Sequence, residues 1–156
     1  MRFTKLAGGV AIAGLGAAAA MHVVWVFSTW PFDSLEDFTR TIAGVSEDEA
    51  PSAAATGTVA AALGAATYLV AAQSGLAPRL LPAPLGRLGT ATVAGVLLLR
   101  GGYGVITSGL ADESTTFTRM DLALYSPLCL ALGLLAAYVA VGGDRVQRTS
   151  SASGVA

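Results

Sequence analysis

The sequence predicts an all-α, polytopic membrane protein: four transmembrane helices in one bundle, with both termini in the cytoplasm. Three observations carry this expectation. The chain is 54% hydrophobic and only 12% charged over 156 residues, with a mean hydropathy of +0.66, too apolar for an ordinary soluble domain. Apolar runs of about 20 residues, the length that crosses a hydrocarbon core of about 30 Å as helix, recur along it and four of them fit. The charges are sorted between alternate connections. Arg2, Lys5, Arg79, Arg87, Arg145 and Arg148 fall on one side and only Arg40 and Arg119 on the other, while nine of the ten acids lie opposite the basic side. The positive-inside rule then makes the basic side cytoplasmic.

Met1 to Lys5 is a short basic start leading into the first span, about residues 6–27, which ends at Trp30-Pro31. A basic start, an apolar run and the small residues Ala17 to Ala20 also describe a secretory signal peptide. The apolar run continues well past a plausible cut site, which favours an uncleaved helix. Residues 31–51 form an acidic connection in which Ser34-Leu35-Glu36-Asp37 has capping-box spacing. Leu35, Phe38, Ile42 and Val45 follow at helix-like intervals. A short amphipathic helix over 34–46 is expected, on the membrane surface or folded over the bundle end; an irregular loop fits the same residues equally well.

The second span covers about residues 52–73. Gly57, Ala61 and Ala65 repeat every four residues, as do Ala60 and Gly64, a small-residue face on which a neighbouring helix can pack closely. Pro78, Pro82 and Pro84 then mark a turn. The third span, about 88–110, contains Arg100. After a polar loop, Asp121 opens the fourth span, about 122–141, with Pro127 early in it, where proline is best tolerated. Gly142-Gly143-Asp144 ends that span, so the transmembrane domain is residues 1–142, and the polar, Ser-rich stretch 143–156 is expected to be a disordered cytoplasmic tail.

Composition also limits the chemistry. The single cysteine, Cys129, excludes an internal disulfide and a CxxC pair. No basic cluster points to nucleic acid. With one histidine there is no second imidazole to complete a metal or haem site, and no nucleotide loop, HExxH or nucleophile elbow is present. No metal and no cofactor is therefore expected.

The residue that needs an explanation is Arg100, because a guanidinium in a lipid-spanning helix costs at least a few kcal/mol (about 2.5–3.5) even on lenient insertion scales. At about 1.5 Å of rise per residue, Arg100 lies roughly 15 Å below the outer end of its helix, His22 roughly 13 Å down the first span, and Tyr125 roughly 6 Å into the fourth. His22 and Trp25 share a face, as do Arg100, Tyr103, Gly104 and Thr107, and Asp121 with Tyr125. The expected site is an outward-facing polar pocket lined by His22, Trp25, Arg100, Tyr103, Asp121 and Tyr125. One geometric point opposes its simplest form. The Cβ of Arg100 leans toward the cytoplasm, so its stem must bend outward to pair with Asp121. Plainer roles stand beside these: Arg100 as a tie between helices through backbone carbonyls and a carboxylate, His22 as a hydrogen-bonded packing residue, Trp25 and Trp30 as interface anchors, Tyr103 and Tyr125 satisfying their hydroxyls through Arg100 or Asp121, and Cys129 as small apolar filling.

His22-x-x-Trp25, Trp30-Pro31, Arg100-Gly101-Gly102-Tyr103-Gly104 and Phe117-x-x-x-Asp121-x-x-x-Tyr125-Ser126-Pro127-Leu128-Cys129-Leu130 together resemble a bacterial four-helix membrane family known as domain of unknown function 3995. The likeness spans nearly the whole chain up to Gly142, and the Tyr-Ser-Pro-Leu-Cys run is its most specific part. It implies an integral membrane protein of four spans and brings no activity, substrate or catalytic residue.

Three functions are compatible with these residues. The first is a binding or accessory protein whose outer-leaflet pocket holds a small anionic or amphiphilic molecule, such as a lipid headgroup or a quinone-like ring, with Arg100 as the anion or carbonyl partner and Trp25, Tyr103 and Tyr125 as the walls. The second is a membrane enzyme using His22 for proton transfer and Arg100 for electrostatic stabilisation. The third is a structural subunit that docks a membrane protein partner or another copy of itself. The first is preferred, in the inner (cytoplasmic) membrane as a multi-pass protein with the lipid bilayer as its constant partner.

Overall fold

The computed structural model describes residues 2–152, and side chains as far as residue 142. Four helices in it are long and apolar enough to cross a membrane, and among the described residues there is no strand. The first, α1 (Arg2–Phe27), starts four residues earlier than its apolar core because the basic start is itself helical. A short helix α2 (Leu35–Phe38) follows and widens into a π-turn over Thr39–Ala43. Its N-cap is Ser34, whose hydroxyl accepts from the Asp37 N–H at 3.1 Å, the bond that the capping-box spacing anticipates. The segment ends at Gly44, whose φ of +71° is a left-handed conformation that glycine adopts without strain.

Helix α3 (Ala53–Ser74) is capped by the Ser52 hydroxyl and closed by Gly75 at φ +75°. Helix α4 runs Ala83–Gly109 and begins five residues before the expected Leu88. Pro84 sits in its first turn, where no backbone N–H is required, so this proline starts a helix instead of breaking one. The fourth span also begins early. Helix α5 (Thr116–Met120) is capped by Thr115 and passes through a π-turn at Asp121–Tyr125 into α6 (Ser126–Ala152). The polar stretch 116–120 is thus helical, and Asp121 lies inside the span's helix, not at its start. The widened turn sits directly before Pro127, whose ring would otherwise meet the carbonyl one turn back. At the other end, helix continues to Ala152 through most of the stretch expected to be a disordered tail; residues 153–156 of that expectation lie outside the described residues.

Packing follows the small residues, though not always those the spacing singles out. Antiparallel α1 and α3 close on one another where Gly8 faces Ser74 and Gly16 faces Thr67. On α3 itself Ala60, Ala66 and Val70 are buried, whereas Ala61, Gly64 and Ala65 lie on the outside of the bundle. The expected small-residue face is therefore split, with one part inside and the rest unpartnered. Antiparallel α4 and α6 approach as closely, with Gly101 against Leu130 and the Ser126 carbonyl, and Gly133 against Leu98. Helix α6 also packs on α1, where Gly14 meets Leu132, and touches α3; α1 and α4 stand at opposite corners of the bundle. The core is built from Leu15, Val70, Leu132 and Val139 with interleaved alanines.

Candidate functional site

Arg100 stands nine residues before Gly109, about 14 Å below that end of α4. Its guanidinium does bend back toward the end carrying the acidic loops. Nη2 donates to Asp121 Oδ1 at 2.9 Å. The path is opened by Gly104, one turn on: a Cβ there would sit 2.5 Å from Arg100 Nη1, 2.6 Å from Asp121 Oδ2, and against the Ser126 hydroxyl. The side chain that leans one way at Cβ is thus free to lie across a bare stretch of helix and reach a carboxylate on α6's lead-in.

Asp121 is the buried member of the pair. Its side chain is 1% exposed, against 42% for Arg100. Besides the guanidinium it accepts from the Ser108 hydroxyl at 2.8 Å and the Ser126 hydroxyl at 3.0 Å. The carboxylate is therefore held by three donors from two helices, which is what a charge needs when it is taken out of water. Sequence reasoning missed both serines and the spatial role of Gly104. Ser108 was legible, since Arg100, Gly104 and Ser108 repeat every four residues along one helix face. Ser126 was not, because residues five apart align only in a π-turn, where the Ser126 N–H bonds the Asp121 carbonyl.

The other expected pocket residues are sorted into different places. Tyr103 is 68% exposed on the outside of α4 and lines no interior wall; at about 100° of turn per residue it stands about 100° round the helix from the buried Gly104 and about 160° from the buried Gly101, on the other side of Arg100 from the ion pair. His22 Nδ1 bonds the Ala18 carbonyl of its own helix at 2.8 Å, and its ring packs edge-on against Trp25 at 5.0 Å. Trp25 in turn donates Nε1–H to the Trp30 carbonyl and meets Phe38 at 5.3 Å. These two residues form an aromatic plug under α2. Tyr125 reaches the same cap from α6's side: its hydroxyl is 3.4 Å from the Thr41 carbonyl, and its ring lies beside Phe117. Both groups lie toward the acidic end, but His22 and Arg100 belong to helices at opposite corners. The geometry thus brings Arg100 together with Asp121 and leaves His22 with its own aromatic neighbours.

An apolar groove of about 330 Å³ opens between α3 and α4, with Leu15 at its floor and Val59, Ala62, Val93, Val96 and Leu97 along its walls. Val93, Val96, Leu97 and Arg100 share one face of α4 by helical spacing. The lining of the groove on α4 ends at Leu97, one turn before Arg100 on that face. Among the described residues, no group of three or more His, Cys, Asp or Glu side chains is placed to hold a metal ion.

Fold and site together define a multi-pass, all-α membrane protein whose bundle encloses a buried carboxylate paired with a half-exposed arginine. Within that class the chain belongs to the family described as "Protein of unknown function (DUF3995)", whose model matches residues 15–136. Neither the comparison with curated proteins nor that with solved structures returned a match.

Proposed function

We propose that the protein is a membrane-resident binding or accessory protein that takes an amphiphilic molecule from the bilayer, its polar head on Arg100 and its tail in the groove between α3 and α4. The observation that carries this reading is the adjacency of the two features. The apolar groove is lined on α4 as far as Leu97, Arg100 follows one turn on along the same face by helical spacing, and Asp121 engages one nitrogen of its guanidinium. With five N–H donors and one engaged by the carboxylate in a direct 2.9 Å bond, Arg100 keeps donors for an oxygen-rich head. Depth supports the same reading. The guanidinium lies at the level of Gly104, about 8 Å below the end of α4. A helix of 27 residues, about 40 Å, exceeds the hydrocarbon core by about 5 Å at each end. The charge then sits close to where headgroups meet acyl chains. In this reading the ligand enters sideways from the leaflet, and the pocket expected from His22 to Tyr125 is replaced by a surface site. The basic end faces the cytoplasm, both termini lie on that side, and the membrane is the inner (cytoplasmic) one.

Native mass spectrometry after gentle extraction tests the site with two variants that act differently. Ala62→Phe fills the groove without touching a charge, and the double change Arg100→Gln with Asp121→Asn removes the pair without stranding either ion. Both are expected to lose the bound amphiphile retained by the wild type. Equal retention by all three proteins would end this reading.

A second reading, a structural subunit that docks another membrane helix, is favoured by one observation: Ala61, Gly64 and Ala65 form an exposed small-residue face on α3. Ala61→Leu tests it by cross-linking in membranes, where loss of a cross-linked species supports docking and a monomer in both proteins argues against it.

A further inference from the structure

Resting on the amphiphile site just proposed, we infer that its occupant is a phospholipid of zero net charge, and that Asp121 is the residue that keeps anionic lipids out. The argument begins with charge balance. Arg100 and Asp121 are 2.9 Å apart, so the site offers a guanidinium's donors while the pair carries no net charge. A phosphodiester brought to the exposed edge of Arg100 feels the attraction of one charge and, a few ångströms further, the repulsion of the other. Hydrogen-bond donation survives this cancellation; preference for an anion does not.

The surroundings act in the same sense. Asp112 and Glu113 follow directly on α4's end at Gly109, and Asp33, Glu36, Asp37, Glu47, Asp48 and Glu49 occupy the connection at the same end of the bundle. A headgroup with an ammonium beyond its phosphate places that cation toward these carboxylates. A headgroup with only negative charge meets repulsion both from Asp121 beneath it and from the loops above it. The acyl chain descends along Val96 and Val93 into the groove. Phosphate on Arg100, ammonium toward the acidic loops and chain in the groove is the arrangement of a phosphatidylethanolamine-like lipid, whereas a free phosphate ion would leave the groove empty.

The role assigned to Asp121 is one of selectivity and is separable from binding itself. Asp121→Asn keeps the side-chain shape, and Ser108 and Ser126 can turn their hydroxyls to accept from the new amide. It leaves the site with a net positive charge. A unit charge about 7 Å from the phosphate, at an effective dielectric of about 40 near the headgroups, shifts a binding ratio by about sevenfold. Thr107→Glu changes the balance in the opposite direction without entering the buried cluster. Thr107 is exposed, lies two turns beyond Arg100 on the same face, and is two residues from the end of α4.

The experiment reads lipids retained by the full chain in nanodiscs of equimolar phosphatidylethanolamine and phosphatidylglycerol, with inorganic phosphate added in a parallel sample. The wild type is expected to retain phosphatidylethanolamine in excess. Asp121→Asn is expected to raise the glycerol-to-ethanolamine lipid ratio about five- to tenfold, and Thr107→Glu to lower it at least about threefold. Lipid retention that depends on Ala62 and Arg100 but shows the same ratio in wild type and Asp121→Asn overturns the selectivity inference and leaves the site standing. If Asp121→Asn does not fold, Thr107→Glu decides, and an unchanged ratio there overturns it. Displacement of lipid by phosphate alone overturns the assignment to a lipid, and retention indifferent to Ala62 and Arg100 removes the site itself.

Discussion

Gly104→Ala is the perturbation on which the ion-pair geometry is most exposed to refutation. The added methyl carbon would lie 2.5 Å from Arg100 Nη1, 2.6 Å from Asp121 Oδ2 and closer still to the Ser126 hydroxyl, where ordinary contact begins at 3.4 Å. All three atoms are side-chain ends and would yield cheaply if they were free. They are tied to one another, however, so they must move apart together by about 0.8 Å, the shortfall from ordinary contact. A shift of that size stretches the 2.9 Å Arg100–Asp121 bond to about 3.7 Å, beyond hydrogen-bond range. Loss of a charge-assisted bond costs about 1.5–3 kcal/mol and overpacking about 1–3 kcal/mol, against a gain of about 1 kcal/mol from replacing a helical glycine. The expected net destabilisation is about 1.5–5 kcal/mol. Gly102→Ala supplies the control on the same helix, since a Cβ there meets nothing within 4 Å; it should be neutral or stabilising by up to about 1 kcal/mol. Reversible unfolding in mixed micelles, followed by the fluorescence of Trp25 and Trp30, measures both. Equal stability of the two alanine variants would mean that Arg100 does not lie across Gly104.

Ser108→Ala and Ser126→Ala each remove one donor from a carboxylate that is 1% exposed, and each should destabilise by about 1.5–3 kcal/mol in the same unfolding assay. Their double variant should fall short of the sum, because both act on Asp121 Oδ2. Tyr103→Ala should change stability by no more than about 0.5 kcal/mol, since that side chain stands outside the bundle; a large loss would place Tyr103 inside after all. Gly44→Ala forces a left-handed residue to carry a Cβ 2.8 Å from the Phe117 ring. It should loosen the 35–43 cap, read as faster proteolysis after Arg40 with the rest of the bundle still resistant. With Cys129 changed to Ala, a cysteine at Thr115 should react with a membrane-impermeant reagent on intact cells while one at Leu81 should not; the reverse pattern would invert the orientation inferred from the arginines.

How much of this was legible in the sequence depends on which interaction decides each feature. Span number and order follow from length and hydropathy, properties of each segment taken alone, and they needed no neighbour. The boundary at Ala83 was hidden because a proline reads as a break until its place within the first turn is known. Residues 116–120 read as loop because polarity outweighs a cap at Thr115 that is only visible once the helix exists. The Arg100–Asp121 pair could be anticipated because none of the four expected spans carries an acid inside it and Asp121 opens the fourth, although the pairing required the Arg100 stem to bend outward against the lean of its Cβ. What depth cannot supply is which helices stand diagonally. His22 and Arg100 lie at comparable heights, but the contacts between α3 and α6 cross the bundle and keep α1 from α4. The π-turn was equally out of reach, because Pro127 announces a disturbance in the helix without saying that it will be resolved by a wider turn that swings Ser126 onto Asp121.

The structure also reverses the question posed by the charges. Read along the chain, Arg100 is the costly residue and Asp121 its compensation. In the folded bundle Arg100 is 42% exposed on a long stem about 14 Å from the helix end, and such a side chain can approach the headgroups by itself. Asp121 has no such route: its short carboxylate is enclosed between α4 and α6, so the guanidinium and two serines are what make it tolerable. A bundle requiring only helix adhesion has a less expensive solution, since apolar side chains of matching volume commonly replace a buried ion pair without loss, and the Gly101–Leu130 and Gly133–Leu98 approaches already hold α4 to α6. In the binding reading proposed above, Asp121 is accounted for by what its charge does to the choice of partner at Arg100, a role that helix adhesion alone does not call for.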